Sequence, residues 1–213
     1  MTRPLVIAID GPAAAGKGTI ARALADRLDL AYLDTGSLYR AVAHAVLRAG
    51  GDPADVAVTE RAARALDLDA IDADAIRSRE VGAAASLVAA NPAVRAALLD
   101  VQRRSAVHPP GGKRGTVMDG RDIGTVVCPE ADVKFFVTAS DEARAHRRWR
   151  ELVQDDPALG AAEVLADLRE RDARDRARAA SPLVRAADAV LLDTTDLSIE
   201  AAIQAALDIV GRR

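Results

Sequence analysis

Residues 11–19 (Gly11, Pro12, Ala13, Ala14, Ala15, Gly16, Lys17, Gly18 and Thr19) are the stretch of this chain whose spacing most clearly implies chemistry. Two glycines stand five apart and a lysine follows the second. Glycines let the backbone turn so that successive N–H groups converge on one anion, and the positive end of a following helix adds to the attraction. A lysine in that register reaches the outer phosphates of a nucleotide. Residues 5–9 just before it are a short apolar run suited to a buried parallel strand. Ile20, Ala23, Leu24 and Leu28 after it recur at helical spacing. The bland alternative, a glycine-rich turn with a chance lysine, does not account for strand and helix on the correct sides. Lys17 is expected to be exposed in that loop. Gly18 stands where the common form of the loop has the Ser or Thr that binds magnesium, with Thr19 one place later.

The elements that must hold this loop follow from composition and order. The 213 residues are half apolar but only 2% aromatic, so the core is built from Ala, Val, Leu and Ile. A net charge of −3 gives no global basic excess for nucleic acid, so any anion site must be local. Arginine is so prevalent, with only Lys17, Lys113 and Lys134 among 29 basic residues, that single arginines carry little information. Cys128 is alone, which excludes a disulfide framework and a cysteine zinc site. No apolar run approaches the ~20 residues of a membrane span. After Met-Thr-Arg the chain enters its first strand, so no signal peptide is expected.

Further strands are expected at 30–34, 116–118, 131–138 and 189–193. Helices are expected at 37–48, 54–68, 78–90, 91–105, from the Ser140-Asp141-Glu142 cap to about 153, at 161–180 and at 197–210. Thr35-Gly36 breaks the second strand, residues 67–74 read as an acidic connector, and 108–115 as a loop. Alternation of this kind predicts an α/β, three-layer P-loop NTPase fold: a five-stranded parallel sheet with helices on both faces. The core is expected at 1–50, 111–154 and 182–213, with a helical acceptor-binding excursion at 51–110 and a lid at 155–181. In such sheets ligands lie beyond the carboxyl ends of the strands, which groups 11–19, 34–35, 119–122 and the segment after Thr138 around one cleft. Arg171, Asp175 and Arg178 follow an i, i+4, i+7 pattern on one helical face. Ion pairs such as Asp167–Arg171 and Glu170–Arg174 are the structural alternative for that segment. Its few apolar residues (Leu159, Val164, Leu165, Leu168) and its repelling arginines predict a lid of low stability without ligand.

The GKGT form of the loop is similar to that of nucleoside monophosphate kinases. DTGSLYR, the AAAS…NPAVRAALL block, MDGRDIGTVV, ARAHRR and RERDARDRARAASPL extend the likeness over nearly the whole chain, in order. Together they resemble the bacterial cytidylate kinase family. The resemblance implies that Ser86, Arg95 and Asp122 read the cytosine edge, whose amino donor suits a carboxylate and whose ring acceptors suit hydroxyl and guanidinium. Arg40 and Arg121 are placed to fork onto the acceptor phosphate; the plain alternative for Arg40 is a solvated helix arginine. Thr35 keeps a hydroxyl where some relatives have serine. Similarity to the family further places Arg171 and Asp175 at the acceptor sugar and Arg178 near the transferring phosphates. It sets arginines of the helix after the fourth strand (Arg144, Arg147, Arg148, with Arg147 first) against the ATP phosphates. One departure is clear: between Leu66 and Val81 the chain is too short for the small β-hairpin usual in the family. His44, His108 and His146 form no ligand or base spacing.

The expected activity is transfer of a phosphoryl group from ATP to CMP or dCMP with Mg²⁺, in pyrimidine nucleotide metabolism, with Lys17, Arg121, Arg147 and Arg178 as catalytic residues. No direct protein ligand for the metal is assigned, since Mg²⁺ dehydrates reluctantly and is held mainly by phosphates and water. A monomeric cytoplasmic enzyme is expected, without nucleic-acid or membrane partners. The alternatives are another small P-loop kinase, for AMP, UMP or a non-nucleotide acceptor, and a nucleotide-binding switch. A guanine reader such as N-K-x-D is not found in the sequence, and the arginine and aspartate set has no use in a switch.

Overall fold

Five parallel strands are ordered β2-β3-β1-β4-β5, with β1 (Leu5–Asp10) at the centre. In this computed structural model residues 3–68, 70–154 and 156–212 are described. Asp69 of the acidic connector and Asp155 at the expected lid boundary lie outside them, as do Met1, Thr2 and Arg213. The remaining strands are β2 (Ala31–Asp34), β3 (Gly115–Gly120), β4 (Val133–Thr138) and β5 (Val190–Asp193). Ile7, Ala8 and Ile9 are fully buried, as a central parallel strand covered on both faces requires. The β1–β3 register runs from Leu5 beside Gly115 to Asp10 beside Gly120, so the two strands end level.

By contact the chain forms two compact units. The first, Met1–Leu33 with Ser105–Arg213, holds most of the sheet, α1 (Lys17–Leu28), α6 (Asp141–Leu152), α7 (Ala161–Ala177) and α8 (Ile199–Val210). Its core joins Ile7, Ile9, Val117, Phe135 and Val137 of the strands to Ile20 and Leu24 of α1 and Ala202 and Ala206 of α8. The second unit, Asp34–Arg104, is helical: α2 (Thr35–Arg48), α3 (Val56–Arg64), α4 (Arg79–Val88) and most of α5 (Pro92–Val107). Its apolar cluster includes Leu38 and Val42 of α2, Val81 and Val88 of α4, and Val94 and Leu98 of α5. No single helix among the described residues is long and apolar enough to cross a membrane.

Several boundaries differ from the sequence expectation for local reasons. Helix α2 starts at Thr35 rather than Ser37, because the Asp34 carboxylate accepts the Ser37 N–H and caps it. Thr35-Gly36 is therefore the first helical turn. Asp55 caps α3, accepting from the N–H of Ala57 and Val58, and that helix is shorter than expected, ending at Arg64. The connector that follows contains one short 3-10 turn, Ala75–Arg77, and no strand among its described residues, in keeping with the missing hairpin. A single π-helical turn, Ile123–Val127, follows β3 where IGTVV gives no helical signal.

Candidate active site

The glycine loop leaves β1 through conformations that few residue types adopt. Gly11 has φ 147°, and a Cβ there would lie 1.9 Å from the Val137 carbonyl oxygen, so only glycine lets the loop pass β4. Ala14 sits at φ 58° and Gly16 at φ 90°, the kind of local strain that persists where surrounding structure fixes a functional loop. Gly16 is the N-cap of α1 without a side-chain cap, leaving the first N–H groups of the helix to an external acceptor. Pro12, Ala13, Ala15 and Gly18 complete the turn, and Thr19 is exposed in the first turn of α1.

Lys17 is not exposed as expected. It is the first residue of α1 and is buried, its Nζ donating to the Pro12 carbonyl at 2.8 Å. Burial, then the Arg121 charge, push the ammonium down to about 7, with Asp119 acting in the opposite sense, Arg171 adding to the fall and Asp10 resisting it. The site therefore lacks a negative charge that an incoming phosphate supplies. Arg121 follows β3 and donates from Nε to Asp175 Oδ2 at 2.9 Å and from Nη1 to the Gly120 carbonyl. Burial works against its charge, but Asp175, with Asp119 and Asp172, outweighs this and holds it above the ordinary arginine range. Asp122, buried behind it, accepts the N–H groups of Val126 and Val127 at its own carbonyl and so opens the π turn.

Helix α7 explains its own docking. Val164, Leu168, Asp172 and Asp175 are its buried residues and recur at helical spacing. The apolar half packs with Ala13, Ala145 and Leu159, flanked by Trp149, Leu152 and Leu165. Trp149 Nε1 donates to the Leu159 carbonyl at 2.9 Å. The acidic half takes cations: Asp172 meets Arg144 at 2.7 Å, and Asp175 accepts from both Arg121 and Arg178. The sequence pattern suggests repelling arginines on a loose lid; the helix instead presents Asp172 to Arg144 of α6 and Asp175 to Arg121 and Arg178, and α7 lies on α6. Helix α7 ends at Ala177, so Arg178 is its C-cap residue rather than a member of the helical face. The Glu170–Arg174 pair forms at 2.7 Å on the exposed side. Arg171 adds to the charge around Lys17 and Asp175.

Asp175 titrates far from the ordinary carboxylate. Burial raises its pKa, but Arg121, Arg178 and Arg171 outweigh that and hold it at about 2. A depressed carboxylate contributes stability that is present above its unfolded value of 3.8 and is lost as pH falls through the folded value. Urea denaturation should therefore find Asp175→Asn less stable than the parent at pH 5, with the gap closing as pH falls from about 4 towards 2. A gap independent of pH over that range would show that the carboxylate charge is not what Arg121 and Arg178 respond to.

The three arginines of α6 separate by role. Arg144 is 1% exposed. It donates to the carbonyls of Ala139 and Ala13 and pairs with Asp141 and Asp172, which leaves it no hand for ATP phosphates. Arg148 pairs with Glu151. Arg147 donates to Thr194 Oγ1 at 3.0 Å and to its carbonyl at 2.6 Å, while the same hydroxyl reaches the Ala15 carbonyl of the glycine loop. Arg147 thus stands one residue from the loop.

In the second unit the expected base readers are close-packed. Arg95 is 9% exposed, stacks over the Tyr39 ring at 5.4 Å and donates to the Ala89 carbonyl. Ser86 is 2% exposed and its hydroxyl has no hydrogen-bond partner. A buried orphan hydroxyl is costly unless a ligand meets it. Arg40 donates to the Ile76 carbonyl, and a Cβ on Gly82 would lie 3.2 Å from its Nη1, so Gly82 gives the guanidinium room. Thr35 is buried in the first turn of α2.

Sequence reasoning missed Asp10, gave Asp119 a place at the cleft but no role, and missed Asp172 and Thr194. Asp10 accepts two backbone N–H groups, and Asp119 receives the Tyr32 hydroxyl at 2.9 Å. A signal for the first two was available: each is a carboxylate at the carboxyl end of a buried parallel strand, where α/β sheets bind ligands.

A central β1 that delivers a glycine loop into α1, in a sheet ordered β2-β3-β1-β4-β5, with a buried lysine and arginines gathered at its rim, defines a P-loop phosphotransferase. The family model for cytidylate kinase matches residues 7–212, and the chain belongs to that family. A cytidylate kinase of Paramagnetospirillum magneticum is 61% identical over 210 residues, covering 98% of each chain. One from Rhodospirillum rubrum is 57% identical over 209 residues, again 98% of each. Among solved structures, an uncharacterized protein from Eubacterium ventriosum matches in fold, with TM-score 0.58 and 12% identity over 98% of this chain and 99% of that one.

Proposed function

We propose that this enzyme transfers the terminal phosphoryl group of ATP to CMP and dCMP, giving ADP with CDP or dCDP, as a cytoplasmic monomer of pyrimidine nucleotide metabolism. The observation that carries the reading is the buried Lys17, its charge suppressed by burial and by Arg121, its ammonium held against the glycine loop at the Pro12 carbonyl. The acceptor oxygen is already anionic, so no strong base is needed. Catalysis is in-line positioning with charge neutralisation. Residues 11–19 bind the ATP phosphates with Arg147 beside them. Lys17, Arg121 and Arg178 stabilise the transferring group. Arg40 and Arg121 hold the acceptor phosphate, and Arg171 and Asp175 its sugar, alongside Thr35. Ser86, Arg95 and Asp122 read the cytosine edge, and the partnerless buried hydroxyl of Ser86 supports that role.

Mg²⁺ supplies charge neutralisation on the ATP phosphates when bound. Mg²⁺ dehydrates reluctantly, so it is read as held mainly by the nucleotide phosphates and water.

ADP release with CMP, dCMP, UMP and AMP in parallel tests the reading, with Asp122→Ala beside the parent. CMP and dCMP should accelerate turnover well above AMP. Asp122→Ala should lower kcat/KM for CMP by about 2 kcal/mol or more, since a base-edge donor loses a charged partner. ATP affinity without acceptor should stay near that of the parent. Loss of both together would assign Asp122 to the loop or the metal, and no acceleration by any monophosphate would point to a binding module.

A further inference from the structure

Asp10 closes β1 and is 4% exposed, and neither the phosphate loop nor the base readers use it. Its two carboxylate oxygens accept separate backbone donors, Ile123 N to Oδ1 and Gly124 N to Oδ2, each at 2.7 Å. Those N–H groups are the first two of the π turn, which its own carbonyls cannot satisfy. The turn is closed from the other side by the Asp122 carbonyl and by Cys128 N donating to the Ile123 carbonyl. Gly120 lies beside Asp10 in the β1–β3 register, so Arg121 and Asp122 are held between the strand pairing and this clamp. The approach is tight: a Cβ on Gly124 would lie 3.3 Å from Asp10 Oδ2 and 3.1 Å from Lys134 Cδ.

We infer that Asp10 is a positioning residue for the acceptor, capping the turn after β3 from a different strand and thereby aiming Arg121 and Asp122. The role rests on the reading of those two residues as acceptor contacts. Only a carboxylate can serve both N–H groups. A carboxamide or a protonated acid keeps one acceptor and turns a donor, or a hydroxyl, against the second N–H. The charged groups facing Asp10 are Lys17 from α1 and Asp122 at the head of the turn. Lys134 on β4 passes over Gly124, but its ammonium is taken by Asp188 and the Pro129 carbonyl. Burial is the largest influence on Asp10 and pushes it up to about 6, against the two backbone N–H groups, so the clamp loosens within an accessible pH range.

Asp10→Asn mimics the protonated acid, which gives a readout that a merely structural residue does not move. Small misplacements of reacting groups can cost about 10²-fold, so at about pH 8 the variant should lose on the order of 10- to 100-fold in kcat/KM for CMP, with ATP affinity changed far less. The ratio of parent to variant should fall towards one as pH drops below about 5, since the parent then carries the same hydrogen-bond pattern; substrate titration cancels in that ratio. Gly124→Ala, which presses on the same carboxylate, should lower CMP kcat/KM in the same direction and decides the matter if Asp10→Asn does not fold. A ratio constant with pH, equal losses for ATP and CMP, or parental CMP kinetics in the folded variant overturns the inference. Arg121→Ala is measured in the same series. If it leaves CMP kinetics untouched, the acceptor reading itself fails; if it is damaging while Asp10→Asn is neutral, only the role of Asp10 falls.

Discussion

Arg144→Met is expected to destabilise the protein by about 3–5 kcal/mol, because it leaves a buried carboxylate without its counterion. Asp172 is 2% exposed and its other oxygen, Oδ1, already lacks a partner. Methionine fills much of the arginine volume, so the effect is electrostatic and hydrogen-bonded rather than a cavity. At about 2–4 °C per kcal/mol for a chain of this size, the melting midpoint should fall on the order of 10 °C. The double variant Arg144→Met with Asp172→Leu should recover most of that loss, since a buried ion pair replaced by apolar groups is often neutral or better. No recovery in the double variant would mean that the carbonyls of Ala13 and Ala139, not the charge on α7, are what Arg144 chiefly supports.

Lys17→Met should keep the fold and lose turnover by about 10²–10³-fold, the usual effect of removing one preorganised donor to developing charge. Stability should not suffer at neutral pH, because a buried ammonium is exchanged for an apolar chain of similar length. A lysine held at about 7, against 10.5 unfolded, makes the sign explicit. Between those values the unfolded chain holds a proton that the folded one lacks, so stability of the parent rises with pH across the window, and Lys17→Met should flatten that slope. Bound phosphates return the charge. ATP binding at about pH 8 should therefore take up a proton, visible by calorimetry in buffers of different ionisation enthalpy, and Lys17→Met should abolish it. A soluble Lys17→Met protein with near-parental turnover would remove the lysine from the mechanism.

Much of the sheet was legible because its strands are apolar runs ended by Asp, Gly or Pro, and such runs need no partner to be seen. The glycine loop was legible for the same reason: its chemistry lies within nine consecutive residues. The start of α2 was not, because Asp34 acts as a cap while also ending a strand. Helix α7 was misjudged because its inward face changes chemistry halfway, from Val164 and Leu168 to Asp172 and Asp175, and a charged helix reads as solvated when its counterions are distant. Arg144 reaches Ala13 across 131 residues and Asp10 reaches Ile123 across 113. Periodicity and spacing operate over a few turns and carry no information on pairings of that span.

Trp149 is the sole tryptophan of the 213 residues, and its indole hydrogen bond falls on the Leu159 carbonyl just ahead of α7. Tryptophan emission from this chain therefore comes from one chromophore, half-buried among Leu152, Leu165 and the α7 face. Separation of α7 from α6 would hydrate the ring and redden its spectrum, while any ligand that tightens the pair would shift it to the blue. The enzyme carries a built-in optical gauge of that helix pair, readable in stopped flow without a label.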